Sequence, residues 1–163
     1  MKYFIRNSLC IEKYNIYNIN QCKYILDILG YNNNLWDFDI KSNMNKLFNF
    51  SDSFTIYIYF IHNTCIGYGI ISNKTKLNGW NYYKKLSKKY NTNMYLEYIE
   101  ILDKYKNKDY GSKLLSYILN DINDNIIVEC LETSFYYNFN FKLIDDMSKY
   151  NIDDDSKFMI YTH

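Results

Sequence analysis

Apolar and polar positions in the first third of the chain recur with the spacings of a strand and two helices. Residues 3–13 have the pattern of a strand. Across residues 19–29, apolar side chains recur at roughly helical spacing, and Gly30 follows as a residue suited to end a helix. A second short helix is predicted over residues 38–48.

Two runs rich in β-branched and aromatic residues predict a β-hairpin in the middle of the chain. They cover 54–61 and 64–71, and the polar pair His62 and Asn63 separates them. The following residues, 73–92, are polar and rich in lysine, which predicts a connection. This part is therefore expected to contribute two paired strands and a polar connection.

The second half of the chain has the pattern of a β-α-β unit followed by three short elements. Strands are predicted over 94–102 and 125–131, and the helix between them over 111–122. Its apolar side chains form one stripe, made of Leu114, Leu115, Ile118, Leu119 and Ile122. The short elements are an aromatic helix over 134–139 and an antiparallel strand pair over 141–144 and 157–161. This order predicts an α/β (α+β) fold with the two longer strands parallel and close together.

Length and composition are typical of one globular domain. The chain has 163 residues, enough to bury a sizeable core, and we expect 1–163 to form a single domain. A formal net charge of +1 provides no overall field that would attract nucleic acid or a membrane surface. There are 20 tyrosines and no proline, a skew that an A/T-rich coding sequence would produce, so the abundance of tyrosine carries little information about function.

Cysteine and histidine usage indicates no metal site. The sequence contains two histidines and no Cys-x-x-Cys pair, so we expect no zinc. The polar start of the chain does not have the pattern of a signal peptide, and no run approaches the roughly 20 apolar residues of a membrane span. A cytoplasmic protein with reduced thiols is expected. The four cysteines are Cys10, Cys22, Cys65 and Cys130.

A basic loop joins the strand over 94–102 to the helix over 111–122. The first backbone N–H groups of a helix have no partner within the helix, and the helix dipole favours anions there. The loop could therefore hold a pyrophosphate, although an ordinary basic turn has the same composition. The loop residues are Lys106, Asn107, Lys108, Asp109, Tyr110, Gly111 and Ser112.

The order of elements and two motifs resemble the GNAT superfamily of N-acetyltransferases over about residues 54–144. Lys106 and Gly111 fall on the first and last positions of the family loop, Arg/Gln-x-x-Gly-x-Gly/Ala, while Asp109 replaces its first glycine. Residues 135–141 are similar to the family motif Phe/Leu-Tyr-x-x-x-Gly-Phe, with Asn140 in the glycine position. The resemblance implies a mixed, mostly antiparallel, twisted central sheet flanked by helices. Coenzyme A would lie in a cleft where the central strands splay.

The resemblance implies an enzyme that moves an acetyl group from acetyl-CoA to an amine. Tyr136 takes the position of the acid that meets the departing thiolate, and Tyr137 is the alternative if the register shifts by one. Glu97 and Glu100 are the carboxylates on the central strand, and a regular strand would point them to opposite faces unless a bulge intervenes, which the resemblance implies. We favour Glu97 for the cleft. The implied cofactor contacts are Ile99, Ile101, Lys106, Asn107, Lys108, Asp109, Tyr110, Gly111 and Ser112.

Within the superfamily, the chain most resembles the glucosamine-6-phosphate N-acetyltransferases. Glu97 and Glu129 fall on family acids that contact the aminosugar, and Tyr98 replaces a family aspartate. These three residues are the implied acceptor contacts. The last residues, 158–163, lack the basic side chains that the family places there for the sugar phosphate, so other lysines, such as those over 84–89, would have to take that role. A homodimer is also implied.

Three other functions stay open. A peptide or protein N-acetyltransferase would have the same fold with an open acceptor groove, and a GNAT domain could bind coenzyme A without catalysis. Residues 82–90 interleave lysines with aromatic side chains, as nucleic-acid-binding segments do. Acidic residues elsewhere offset that charge, so we expect a small-molecule amine as the partner, with no nucleic acid and no membrane.

Overall fold

The computed structural model describes residues 9–30, 40–77, 81–144 and 156–163. The elements in chain order are β1 (Leu9–Ile16), α1 (Ile19–Leu29), α2 (Ile40–Leu47), β2 (Phe54–Ile61), β3 (Thr64–Asn73), α3 (Asn81–Tyr90), β4 (Met94–Ile101), a 3-10 turn (Asp103–Tyr105), α4 (Tyr110–Asp121), β5 (Ile126–Cys130), α5 (Ser134–Tyr137), β6 (Lys142–Leu143) and β7 (Lys157–Tyr161). None of the helices within these ranges is long and apolar enough to cross a bilayer.

The strands form one seven-stranded sheet in the order β1-β2-β3-β4-β5-β7-β6. All neighbouring pairs are antiparallel except β4 and β5, which are parallel and joined through α4. The parallel pairing covers only Tyr95 with Ile127 and Leu96 with Val128. Both strands continue beyond these pairs, so β4 and β5 separate. The predicted fold class and the predicted parallel pair are therefore confirmed.

Helices cover both faces of the sheet because its strands alternate apolar side chains between two cores. In β2, Tyr57 and Tyr59 belong to the cluster under α4, whereas Ile56 and Ile58 belong to the cluster under α1 and α2. The predicted stripe of α4 is buried in the first cluster. A third cluster joins Leu86 of α3 to strands β4, β5 and β7. Burying each large apolar side chain contributes about 1.5–3 kcal/mol.

The connection predicted over 73–92 contains a helix that the sequence pattern did not predict, because α3 occupies most of its second half. Leu86 is buried and Tyr82 and Tyr83 are partly buried, so one side of the helix packs on the protein. The four lysines of α3 are exposed, which accounts for the polar pattern: Lys84, Lys85, Lys88 and Lys89. The basic segment over 82–90 is therefore an amphipathic helix.

The other predicted elements agree with the structure to within a few residues. The hairpin turns at His62, whose φ of 53° is left-handed, and Gly30 ends α1 with a φ of 67°, which glycine adopts without strain. The closing antiparallel pair is β6 and β7, with β7 placed between β5 and β6. Residues 3–8 of the first predicted strand, and residues 38 and 39 of the second predicted helix, lie outside the described residues.

Candidate active site

The loop before α4 lines a cavity of about 400 Å³, here called the loop cavity. Every predicted cofactor contact lines it except Ile99 and Lys108. Ile99 packs against the core under α4. The Lys108 ammonium donates a hydrogen bond to the Lys104 carbonyl at 3.2 Å. The cavity lining consists of Ile101, Tyr105, Lys106, Asn107, Asp109, Tyr110, Gly111, Ser112 and Phe135.

The start of α4 presents backbone donors to the loop cavity. The first intrahelical hydrogen bond in this turn runs from the Lys113 N–H to the Asp109 carbonyl at 3.1 Å. The N–H groups of residues 110–112 therefore have no acceptor within the helix. Asp109, with a left-handed φ of 63°, precedes the helix but its side chain makes no capping hydrogen bond. These donors and the helix dipole suit an anion such as a pyrophosphate.

Gly111 leaves the helix start open to the loop cavity. A Cβ added there would meet Ile101 at 3.7 Å and Phe135 at 3.8 Å, which are ordinary van der Waals distances. The surrounding protein therefore does not require a glycine at this position. The space above the helix N-terminus is available to a ligand.

Beyond its pairing with β5, β4 has backbone groups that face the open cleft. The Leu102 N–H donates to the Ile66 carbonyl at 2.9 Å, on the β3 side. Since successive N–H groups of a strand point to opposite sides, those of Ile99 and Ile101 point toward β5. Pairing with β5 has already ended at Leu96. These two N–H groups are therefore placed to polarise a carbonyl in the cleft.

A β-bulge at Glu97 brings two carboxylates of β4 to one face of the sheet. Opposite β3, Tyr98 pairs with Ile70 but Leu96 pairs with Ile71, so Glu97 is the additional residue. Glu97 accepts a hydrogen bond from the Ser72 hydroxyl, and Glu100 accepts one from the Tyr68 hydroxyl at 2.8 Å.

Both hydroxyls come from alternate positions of β3 on the face covered by α1 and α2. The Glu97 carboxylate lines a cavity on that face.

That face carries a second cavity, of about 530 Å³, here called the acceptor cavity. Glu97, Tyr98 and Glu129, the three predicted acceptor contacts, all line it. Since Leu96 pairs with Val128, Glu97 and Glu129 are the first residues past the last paired position on their strands. The complete lining is Asn43, Lys46, Leu47, Phe50, Lys74, Tyr83, Tyr95, Leu96, Glu97, Tyr98, Glu129, Cys130, Leu131 and Ser156.

The two carboxylates of the acceptor cavity have different partners. Glu97 forms an ion pair with Lys74 at 3.0 Å, and both side chains are nearly buried. Glu129 is exposed and accepts a hydrogen bond from the Tyr83 hydroxyl at 2.9 Å. Burial, together with both carboxylates, raises the pKa of Tyr98 to about 12. The cavity therefore combines two negative groups with a phenol that stays protonated at neutral pH.

Sequence reasoning missed Lys74, Tyr83 and Lys46 in this cavity. Lys74 follows β3 in the predicted polar connection, and it is 5% exposed. The signal that could have found it is the alternation of β3, because Ile70, Ser72 and Lys74 fall on the same face. Tyr83 and Lys46 lie on helices whose inward faces contain few aliphatic residues, so their periodicity is weak.

Tyr136 and Tyr137, the two alternatives for the acid, have different environments. Tyr136 is 9% exposed and packs between Phe135 and Phe141, with ring centroids at 5.2 and 5.4 Å. Burial and the nearby Cys130 raise the pKa of Tyr136 above its ordinary value. Tyr137 is 50% exposed. Tyr136, which the family motif predicts as the acid, is the buried one of the two tyrosines.

Solved structures resemble this fold, while no protein-family model and no curated protein matches the sequence. Naa50 of Arabidopsis thaliana, in complex with the bisubstrate analogue CoA-Ac-MVNAL, has a TM-score of 0.57 at 17% identity, over 96% of this chain and 99% of that chain. The PaiA N-acetyltransferase of Thermoplasma acidophilum, in complex with coenzyme A, has a TM-score of 0.55 at 15% identity, with coverages of 96% and 99%. A GNAT-family acetyltransferase of Elizabethkingia anophelis with acetyl-CoA bound has a TM-score of 0.55 at 13% identity, also over 96% and 99%. The chain therefore has the fold of the GNAT acetyltransferases.

Proposed function

We propose that the protein is an acetyl-CoA-dependent N-acetyltransferase. One observation carries the proposal: β4 and β5 separate after Leu96 and Val128, with the loop cavity at one face and the acceptor cavity at the other. A donor and an acceptor held in these two cavities would meet between the strands. Holding two reactants in contact can account for about 7–11 kcal/mol of the activation barrier.

The loop cavity fits the cofactor. The N–H groups of residues 110–112 would hold the pyrophosphate, and the absence of a side chain at Gly111 leaves room for it. The N–H groups of Ile99 and Ile101 would hold the acyl end. Acetyl-CoA supplies the activated acetyl group when bound. The coenzyme A and acetyl-CoA in two of the similar structures favour this assignment.

Two side chains would handle the protons, and two would bind the acceptor. The acceptor amine has to be neutral to react, so a carboxylate must take its proton, directly or through water. We assign that role to Glu97 and the binding of the acceptor to Tyr98 and Glu129. Tyr136, protonated at neutral pH, would give a proton to the leaving thiolate.

For the acceptor, we propose glucosamine-6-phosphate. The amino and hydroxyl groups of an aminosugar are hydrogen-bond donors, and the acceptor cavity offers two carboxylates to receive them. Lys46 lines the same cavity and is the residue we assign to the phosphate. The lysines over 84–89 do not line either cavity. A homodimer and a cytoplasmic location belong to the proposal and are tested by sedimentation and by fractionation.

A thiol-release assay with acetyl-CoA and a panel of amines tests the proposal. We expect kcat/KM for glucosamine-6-phosphate to exceed that for glucosamine by at least about 10-fold, since a charge-assisted phosphate contact contributes about 1.5–3 kcal/mol. Lys46→Glu should raise KM for the phosphosugar and leave the acetyl-CoA Kd unchanged.

Three other results would contradict parts of the proposal. Equal activity on both sugars would contradict the proposed phosphate contact. Activity on peptides alone would replace the acceptor with a peptide amine. An absence of acetyl-CoA binding at millimolar concentration in calorimetry would remove the acetyltransferase function.

A further inference from the structure

Lys74 is a charged residue in a place where charges are costly. It directly follows β3, and its backbone N–H donates to the Asn93 carbonyl at 2.8 Å, which fixes the start of its side chain. The side chain is 6% exposed and ends inside the acceptor cavity. A buried ammonium needs strong local compensation to remain charged.

The surroundings of this ammonium form a cage. Its nitrogen lies 4.3 Å from the Tyr83 ring centroid, 4.7 Å from that of Tyr95 and 5.3 Å from that of Phe50. All three distances are within the roughly 6 Å over which a ring face attracts a cation. The Glu97 carboxylate completes the set, with its two oxygens at 3.0 and 3.3 Å. We call Phe50, Tyr83, Tyr95 and Glu97 the ammonium cage.

Stability alone does not account for this arrangement. The attraction within a buried ion pair is largely offset by the cost of taking both charges out of water, so an apolar pair of similar volume would stabilise the fold about as well. Three aromatic faces and a carboxylate are, in contrast, the groups that bind alkylammonium ligands. The cage is therefore a binding site that the chain fills with its own side chain.

Glu129 lines the same cavity but, within the described residues, is not paired with a lysine as Glu97 is. It accepts a hydrogen bond from Tyr83, and no lysine or arginine lies within ion-pair distance of it among the described residues. An entering ammonium group therefore meets an occupied cage at Glu97 and an uncompensated charge at Glu129. The Ser72 hydroxyl also donates to Glu97, and Tyr98 and Lys46 line the same cavity.

We propose that Lys74 determines acceptor specificity by occupying the ammonium cage, which confines a cationic acceptor to Glu129 and excludes acceptors that carry a second ammonium group. The binding part of this proposal does not depend on catalysis. Its consequence for acceptor choice rests on the proposed function.

Lys74→Ala tests the cage without any enzymatic readout. The substitution removes the equivalent of one n-propylammonium, so that ion should refill the cage. We expect n-propylammonium chloride at about ten times its Kd to raise the Tm of Lys74→Ala by roughly 3 °C. n-Propanol, which has the same length and no charge, should give no saturable rise.

Three control proteins sharpen the test. Wild type should show a smaller rise than Lys74→Ala, because Lys74 occupies the cage and leaves only Glu129 for the ion. Lys74→Ala/Glu97→Gln should show no larger rise than wild type, because the carboxylate of the cage is gone. Lys76→Ala removes a lysine two residues away whose ion pair with Asp52, at 2.6 Å, is exposed, and it should behave like wild type.

Equal Tm rises in wild type and Lys74→Ala would contradict the proposal that Lys74 occupies an ammonium-binding site. So would the absence of a Tm rise in a folded Lys74→Ala protein. If Lys74→Ala is unfolded in buffer, refolding with n-propylammonium but not with n-propanol supports it, and failure with both counts against it.

A second assay examines the consequence for acceptors. Lys74→Ala should acetylate 1,4-diaminobutane with a kcat/KM at least about 10-fold above that of wild type, because the second ammonium can enter the emptied cage. In this reaction the thioester C–S bond breaks, an amide C–N bond forms, and the proton lost by the amine balances the one gained by the thiolate. A saturable Tm rise without a higher kcat/KM for the diamine would support ammonium binding in the cage but contradict its role in acceptor specificity. Inactivity of both proteins on every amine would instead reject the proposed function.

Discussion

Tyr136→Phe removes one hydroxyl and leaves the packing around it in place. Phenylalanine keeps the ring between Phe135 and Phe141, whose centroids lie 5.2 and 5.4 Å away. Loss of a single hydroxyl changes stability by about 1 kcal/mol or less. Any larger effect on turnover therefore reports on the proton that the hydroxyl carries.

We expect kcat to fall by about 100-fold, equivalent to roughly 2.7 kcal/mol, the usual scale for losing a positioned acid. The acetyl-CoA Kd should stay unchanged, because the hydroxyl is assigned to the leaving thiolate and not to cofactor binding. Thiol release under saturating acetyl-CoA measures kcat, and calorimetry measures the Kd.

Tyr137→Phe is the matched control, since that side chain is 50% exposed and should be neutral. Loss of activity in Tyr137→Phe with full activity in Tyr136→Phe would show that the register is wrong by one. Full activity in both would show that neither Tyr136 nor Tyr137 protonates the thiolate.

Three further predictions concern pH, the helix start and a buried thiol. Burial raises the pKa of Tyr136 above the usual value of about 10, so kcat/KM should rise with pH as the amine deprotonates and should show no falling limb below about pH 9.5; a falling limb with an unchanged circular dichroism spectrum would contradict this. Gly111→Ala should leave the free energy of unfolding unchanged or raise it by about 0.5–1 kcal/mol, while weakening acetyl-CoA binding in calorimetry; unchanged affinity would mean that this space is not used. Burial raises the pKa of the Cys22 thiol from 9.0 to about 11, so the unfolded chain loses this proton first and stability should fall between pH 9 and 11 by up to about 3 kcal/mol. Urea unfolding of wild type and Cys22→Ala at pH 8 and 10 measures that loss, and equal pH slopes would refute it.

The fold was predictable where the pattern was strong in aliphatic residues. The stripe of α4 and the hairpin at His62 come from Leu, Ile and β-branched positions, whose periodicity is unambiguous. The helix α3 was missed because its inward face begins with Tyr82 and Tyr83, in a chain where tyrosine occurs everywhere. How much of each tyrosine side chain is buried depends on tertiary packing, which no local sequence pattern specifies.

The sequence motifs predicted residues of the candidate site, but not the contacts between their side chains. Family positions identified Glu97, Glu129 and the loop before α4, and the structure places each beside a cavity. The resemblance implied a bulge on this strand, but no glycine or other local signal marks its position at Glu97, and the bulge changes which side chains share a face. The contact between Lys74 and Glu97 joins residues 23 apart through strand pairing, so it depends on a register that the sequence does not display.

The position of β7 between β5 and β6 sets the order in which the sheet can be completed during synthesis. Strands β1 to β4 are neighbours in both sequence and space, so each can pair as soon as it leaves the ribosome. In contrast, β5 lacks its antiparallel neighbour, and β6 lacks a strand partner, until residues 157–161 emerge. Glu129, which pairs with Phe158, is thus fixed in place only after β7 has emerged. A nascent chain would acquire the β3–β4 side of the cleft before the β5 side, and ligands that need both should bind only once β7 has paired.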